Sequence, residues 1–187
     1  MKEYPNRKAN RLKNYDYTQD GAYFITICVK DKHEILGEIV VGGGVLDAPC
    51  SDSGTVPCCE LSEIGRLVDS RIQTMNNIYD SVKIEKYMIM PNHIHMIVSI
   101  AHENGSLLRK TFRSGTPDRR FREATPTNAT IPSFISTLKR YTNRDCGFSF
   151  WQRSYHDHII RNEAEYQKIW EYIDTNPIRW ETDEYHI

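Results

Sequence analysis

Apolar positions along the chain follow two periods. Tyr23-Phe24-Ile25-Thr26-Ile27-Cys28-Val29 is a β-branched and aromatic run bounded by Asp20-Gly21 and Lys30-Asp31, which predicts a strand. Ile35 to Val41 is a second such run ending at Gly42-Gly43-Gly44, and it reads as the hairpin partner of the first. Ile64, Leu67, Val68, Ile72 and Met75 recur at helical spacing, so residues 62 to about 76 form an amphipathic helix with Ser62 near its N-cap. Val82 to Ile89 alternates as a strand, and Pro91-Asn92 supplies a tight turn into a further strand starting at His93, which makes an antiparallel hairpin. Pro132 suits the first turn of a helix that turns Phe134, Ile135, Leu138 and Tyr141 inward and closes at Gly147. A short extended piece covers residues 156 to 160. Asn162-Glu163-Ala164-Glu165 then opens a last helix that runs to Asn176, where Pro177 stops it.

Strand, strand, helix, strand, strand, helix with one helix added describes an α+β chain: a ferredoxin-like antiparallel sheet with packed helices. The 187 residues suit one domain spanning 1–187. Two stretches lie outside the pattern. Residues about 42–60 have loop composition (VLDAPCSDSGTVPCC) and read as a surface insertion; residues about 102–130 are polar, basic and broken by Gly105, Gly115, Pro117 and Pro126, and read as a flexible loop.

The formal net charge of -1 hides a polarised distribution. Lys2, Arg7, Lys8, Arg11 and Lys13 face only Glu3 in the N-terminal arm, and Arg109, Lys110, Arg113, Arg119, Arg120 and Arg122 face only Asp118 in the basic loop. Such clusters can track a phosphate backbone whatever the overall sum. No apolar run is long enough for a membrane span, so a soluble protein without a membrane partner is expected. The five cysteines lack a paired C-x-x-C spacing, which argues against a disulfide framework, and adjacent Cys58 and Cys59 make poor tetrahedral ligands with Cys50.

Candidate chemistry concentrates in Met90-Pro91-Asn92-His93-Ile94-His95-Met96-Ile97-Val98. Side chains alternate along a strand, so Ile94, Met96, Val98 and Ile100 can enter a core while His93 and His95 project together from the other face as a clamp for a divalent metal. In the last helix Tyr166, Ile169, Trp170 and Ile173 mark the core stripe. Tyr172 and Asn176 stand four apart on an adjacent face, so they can act together. A phenol beside a divalent cation can attack a phosphate and form a phosphotyrosine ester, with the Asn176 amide oxygen as a third ligand beside the two imidazoles. His158, in Asp157-His158, reads either as a supporting group behind the metal ligands or as a structural histidine.

MPNHIHMIV, WQRSYHDHIIRNEAEY and EYIDTNPIRW together resemble the REP-associated tyrosine transposases, a branch of the single-tyrosine HUH transposase family related to small bacterial insertion-sequence transposases. The match runs from the RKANRLKNYDYTQDGAYFITICVKD opening to NPIRW, nearly the whole chain. The resemblance implies the HUH endonuclease fold. It also implies a metal-dependent endonuclease and strand transferase that acts on single-stranded DNA beside hairpin repeats through a 5'-phosphotyrosine intermediate. His93 and His95 then match the histidine-hydrophobe-histidine ligands, Tyr172 the nucleophile and Asn176 the polar ligand, with Mg2+ or Mn2+ as cofactor. Single-stranded or hairpin DNA is the implied partner and the bacterial cytoplasm, near the nucleoid, the implied place. Monomer and homodimer both remain open, the monomer favoured. Two other readings stay open: a single-stranded nucleic-acid binding module without chemistry, and a metal-dependent nuclease using activated water.

Overall fold

In a computed structural model, the structure describes residues 20–41, 57–79, 81–101 and 130–186. The elements in chain order are β1 (Gly21–Cys28), β2 (Gly37–Val40), β3 (Cys58–Leu61), α1 (Glu63–Met75), β4 (Val82–Ile89), β5 (His93–Ile100), α2 (Thr130–Cys146), β6 (His156–Ile160) and α3 (Glu163–Thr175). A 3-10 turn over Lys30–Lys32 follows β1, and another over Pro177–Thr182 follows α3.

Four strands form one antiparallel sheet in the order β4-β5-β1-β6. With β2 and β3 set aside, the chain runs β1-α1-β4-β5-α2-β6, and that spatial order is the ferredoxin-like arrangement expected from the pattern. α1 and α2 cover one face. The turn chemistry is as the sequence implies: the Ser62 side chain accepts from the Gly65 amide at 3.0 Å, and Gly147 ends α2 at φ 77°, a conformation glycine adopts without strain. Trp151 Nε1 donates to Thr142 Oγ1 at 2.7 Å, tying α2 to the segment that leads into β6.

Two expectations need correcting. β2 does not pair with β1, because β5 and β6 lie along both edges of β1. It pairs instead with β3, in a separate two-stranded sheet with Gly37 opposite Leu61 and Val40 opposite Cys58. The end of the stretch read as loop insertion is therefore strand, since Cys58-Cys59-Glu60-Leu61 supplies the alternating partner that β2 requires. Residues 42–56 of that insertion, and residues 102–129 of the basic loop, lie outside the described residues. Cys58 and Cys59 are successive strand residues and so point to opposite faces, which keeps their thiols from converging on one ion.

Strand alternation divides the sheet into two unequal faces. Tyr23, Ile25, Ile27, Ile94, Met96, Val98 and Ile100 point toward α1 and α2, where Val68, Ile72, Met75, Phe134, Ile135 and Leu138 complete a large apolar core. Each such side chain contributes about 1.5–3 kcal/mol on leaving water. Leu67, counted in the apolar stripe of α1, stays 41% exposed at its margin. Toward α3, among the described residues, the buried apolar cluster is small, Ile97, Ile160 and Ile173, with Phe24, Tyr166, Ile169, Trp170 and Tyr172 packed around it. No helix among the described residues is long and apolar enough to cross a membrane.

Candidate active site

The smaller face carries the polar residues. The turn at Pro91-Asn92 sets the register Ile89 opposite Ile94, and β5 then pairs with β1 so that Cys28 faces His93 and Thr26 faces His95. Directly opposed residues of an antiparallel pair share a face, so this one edge brings Thr26, His93 and His95 together. Both imidazoles are buried rather than solvated, at 0% and 1% exposure.

His93 and His95 converge as the alternation requires, Nε2 to Nε2 at 2.9 Å. The opposite ring nitrogens are tied back: His93 Nδ1 lies 2.8 Å from Asn92 Oδ1, and His95 Nδ1 lies 2.9 Å from Thr26 Oγ1. Burial is the main reason both imidazoles ionise well below their usual range; the Asp183 carboxylate partly opposes this at His93, and His93 adds to it at His95. Both rings are therefore neutral near pH 7. Neutral imidazole is the form that ligates a metal.

α3 supplies the rest from above. Tyr172 Oη lies 3.3 Å from His95 Nε2 and donates to Asp183 Oδ2 at 3.4 Å, while its ring meets Phe24 edge-on at 6.0 Å. Burial first, then the carboxylates of Asp183 and Glu184, push the Tyr172 phenol up to about 12. One turn further, the fully buried Asn176 donates from Nδ2 to Asp183 Oδ2 at 2.9 Å. That bond fixes the orientation of the amide, and its Oδ1 is left buried without a hydrogen-bond partner.

Asp183 is the residue that sequence reasoning missed. The 3-10 turn Pro177–Thr182 folds the chain back over the sheet and places the Asp183 carboxylate with the two imidazoles, all three ligand atoms lying within 4.8 Å of one another. Its other oxygen accepts from the Tyr185 amide at 2.7 Å, and the Tyr185 ring sits 4.7 Å from that of His93 and 5.7 Å from that of His95. Glu181, Asp183 and Glu184 look alike in sequence, and no spacing singles out the middle one.

These donors fit a divalent cation. Two neutral imidazoles, one carboxylate and one orphaned amide oxygen are ligands that Mn2+ accepts and that Mg2+ tolerates with water completing its shell. An unpaired buried acceptor costs stability unless something positive reaches it, which is a reason to count Asn176 Oδ1 within the donor set.

The structure thus brings Tyr172, His93, His95 and Asn176 together. His158 stands elsewhere: its Nε2 lies 2.7 Å from Glu165 Oε1 in the first turn of α3, in an exposed pair. Arg7, Lys8, Arg11, Arg109, Lys110, Arg113, Arg119, Arg120 and Arg122 lie outside the described residues.

No family model matches the chain. An uncharacterized protein of Haemophilus influenzae is 30% identical over 190 residues, covering 97% of this chain and 94% of that protein. Among solved structures, a REP-associated tyrosine transposase bound to a REP hairpin superposes with a TM-score of 0.53 at 18% identity, covering 96% of this chain and 74% of that one. A transposase candidate from Deinococcus radiodurans aligns more loosely, with a TM-score of 0.41 and 15% identity over 88% of this chain and 97% of that one, too loose a likeness to bear on function. The chain therefore belongs to one family with the Haemophilus influenzae protein, and its fold is that of the REP-associated tyrosine transposase.

Proposed function

We propose that this protein is a metal-dependent single-strand DNA endonuclease and strand transferase that cuts beside hairpin repeats through a 5'-phosphotyrosine intermediate. The observation that carries the reading is the position of Tyr172: a phenol oxygen 3.3 Å from an imidazole that is itself paired with a second imidazole and a carboxylate. A packing tyrosine has no need of that company. His93, His95 and Asp183, with Asn176 Oδ1, would hold a divalent cation, which when bound would polarise the scissile phosphate and offset the charge that builds on it.

Tyr172 Oη attacks the phosphorus and a P–O bond forms to the ring oxygen as the bond to the 3' oxygen breaks. The leaving strand ends in a 3'-hydroxyl once that oxygen takes a proton. Burial holds the phenol neutral, so its proton must be accepted as the attack proceeds; Asp183 Oδ2, which already receives it, is the acceptor at hand. Reversal by another 3'-hydroxyl rejoins strands without an external energy source, because the phosphodiester energy is kept in the tyrosyl ester. Asn176 holds Asp183, and Phe24 holds the tyrosine ring edge-on, so the nucleophile and its base keep their spacing. The likeness to a hairpin-bound transposase fold supports hairpin DNA as the partner.

A denaturing gel tests this directly, with hairpin-bearing oligonucleotides from the repeats flanking the gene as substrate and Mg2+ or Mn2+ added. Wild type should yield a protein–DNA adduct and a free 3' end; Tyr172→Phe and His95→Ala should yield neither. Cutting that survives Tyr172→Phe with no wild-type adduct would assign the chemistry to water. Metal-dependent binding without any cutting would leave only a binding module.

A further inference from the structure

Asn92 does more than shape the β4–β5 turn. It is 1% exposed, and every polar atom of its side chain is engaged. Its Nδ2 donates to the carbonyl of Lys32 at 3.2 Å and to the carbonyl of Tyr185 at 2.9 Å. Carbonyl oxygens only accept, so two of them on one side of the amide fix which end is NH2. Oδ1 must then be the atom facing His93, at 2.8 Å from Nδ1. An amide oxygen also only accepts, so the proton of the neutral His93 ring must sit on Nδ1. Its Nε2 is left as a lone pair directed at His95 Nε2 and the Asp183 carboxylate.

The contrast is with His95. Its Nδ1 meets Thr26 Oγ1, a hydroxyl that can donate or accept, so that contact does not by itself choose a tautomer. The His93 proton is set by Asn92, and the His95 proton follows from it: with His93 Nε2 a lone pair, His95 Nε2 at 2.9 Å carries the proton in the metal-free pair and Thr26 Oγ1 donates to His95 Nδ1, so His93 is the imidazole that already offers a lone pair to a metal. The same side chain that assigns it also pins the 3-10 turn at Lys32 and the backbone at Tyr185, whose ring lies against both imidazoles.

We infer that Asn92 is a positioning residue for metal binding: it locks His93 in the Nδ1–H tautomer, so that Nε2 stands ready as a ligand, and it joins that ligand to the turn and to the C-terminal segment that supplies Asp183. Groups behind a metal-ligating histidine tune affinity by about 10- to 100-fold, because they hold both the ring orientation and the tautomer. The inference rests on the metal site of the proposed function and not on its DNA chemistry.

Long-range proton–nitrogen correlation spectra of isotope-labelled full-length protein, recorded near pH 7.5, separate the two tautomers of His93. Titration with Mn2+, followed by the resonance of the free ion, gives affinity without any DNA. Wild type should show the Nδ1–H pattern at His93. Asn92→Ala should bind Mn2+ about 10- to 100-fold more weakly. Asn92→Asp, which keeps an acceptor toward Nδ1 but turns an oxygen toward the Lys32 and Tyr185 carbonyls, should keep the Nδ1–H pattern at His93 and lose measurably less affinity than Asn92→Ala. An Nε2–H pattern at His93 in wild type would overturn the inference even if no variant folded. Wild-type affinity in Asn92→Ala, or equal losses in Asn92→Ala and Asn92→Asp, would overturn it as well. Mn2+ binding that behaves as stated in a protein that forms no DNA adduct would remove the phosphotyrosine reading and leave this one standing.

Discussion

The two faces of the four-stranded sheet are made from the same strands and do different work. Toward α1 and α2, alternate residues of β1 and β5 enter a predominantly apolar core, where stability comes from area removed from water and from close packing. Toward α3, the residues between them place Thr26, His93 and His95 under Tyr172, Asn176 and Asp183, with three buried isoleucines as the apolar set. One strand, β5, thus contributes alternately to a scaffold and to a site. A site built on a central strand inherits the rigidity of the core beneath it, so its donors stay converged without a loop having to order them.

The sharpest way to break this contrast is to cut one residue on each face of adjacent positions in β5. Met96→Ala removes a side chain with 0% exposure from the large core and should cost about 2–5 kcal/mol by denaturant titration, while whatever fraction remains folded keeps its cutting activity. His95→Ala should do the reverse. Adduct formation should fall below detection and Mn2+ should no longer raise the melting temperature, yet the fold should survive. A His95→Ala protein that unfolds outright, or a Met96→Ala protein that is folded but inert, would show that the faces are not separable.

Most of the fold was legible because period carries it. The β-branched and aromatic run at 23–29, alternation in residues 93–100, helical spacing in 62–76, and the Pro132, Gly147, Asn162 and Pro177 signals placed the main elements near their observed bounds. The β2–β3 hairpin was not legible, because a strand pattern does not say which partner has a free edge, and that depended on β6 lying far along the chain. In the candidate site, a spacing of two on a strand and of four on a helix grouped His93 with His95 and Tyr172 with Asn176, and the resemblance of the motifs joined the two pairs. Asp183 did not, since a 3-10 turn delivers it and a turn imposes no periodicity on the residues beyond it.

Acid should distinguish the faces next, with a smaller effect. Both imidazoles are held below their ordinary value near 6.5, chiefly by burial. Between their native values and 6.5 the unfolded chain binds protons that the native chain refuses, so stability rises with pH across that window. It is complete above about 6.5 and is lost as pH falls below it, by up to about 1.4 kcal/mol per pH unit for each proton refused. In metal-free buffer the denaturation midpoint of wild type should therefore drop more steeply from about pH 7 to about pH 5 than that of His93→Gln/His95→Gln. Saturating Mn2+ should oppose the drop in wild type alone, adding about 2.7 kcal/mol at roughly a hundred times its dissociation constant. Equal slopes in the two proteins would mean that the pair ionises freely in the native state.

The smallest effect belongs to the rim of the site face. His158 lies on β6 opposite Phe24, so it shares a face with His95, and a supporting role behind the metal ligands is a natural expectation from the sequence. Its actual partner is Glu165, which also accepts from the Arg161 amide, and the pair is open to water. Solvent-exposed ion pairs contribute little because water competes for both charges and salt screens them. His158→Ala should leave Mn2+ affinity and adduct yield within error of wild type, and shift the melting temperature by no more than fraying of the first turn of α3 would. A tenfold loss of Mn2+ affinity in this variant would draw the rim into the site and extend the polar compartment along the whole of that face.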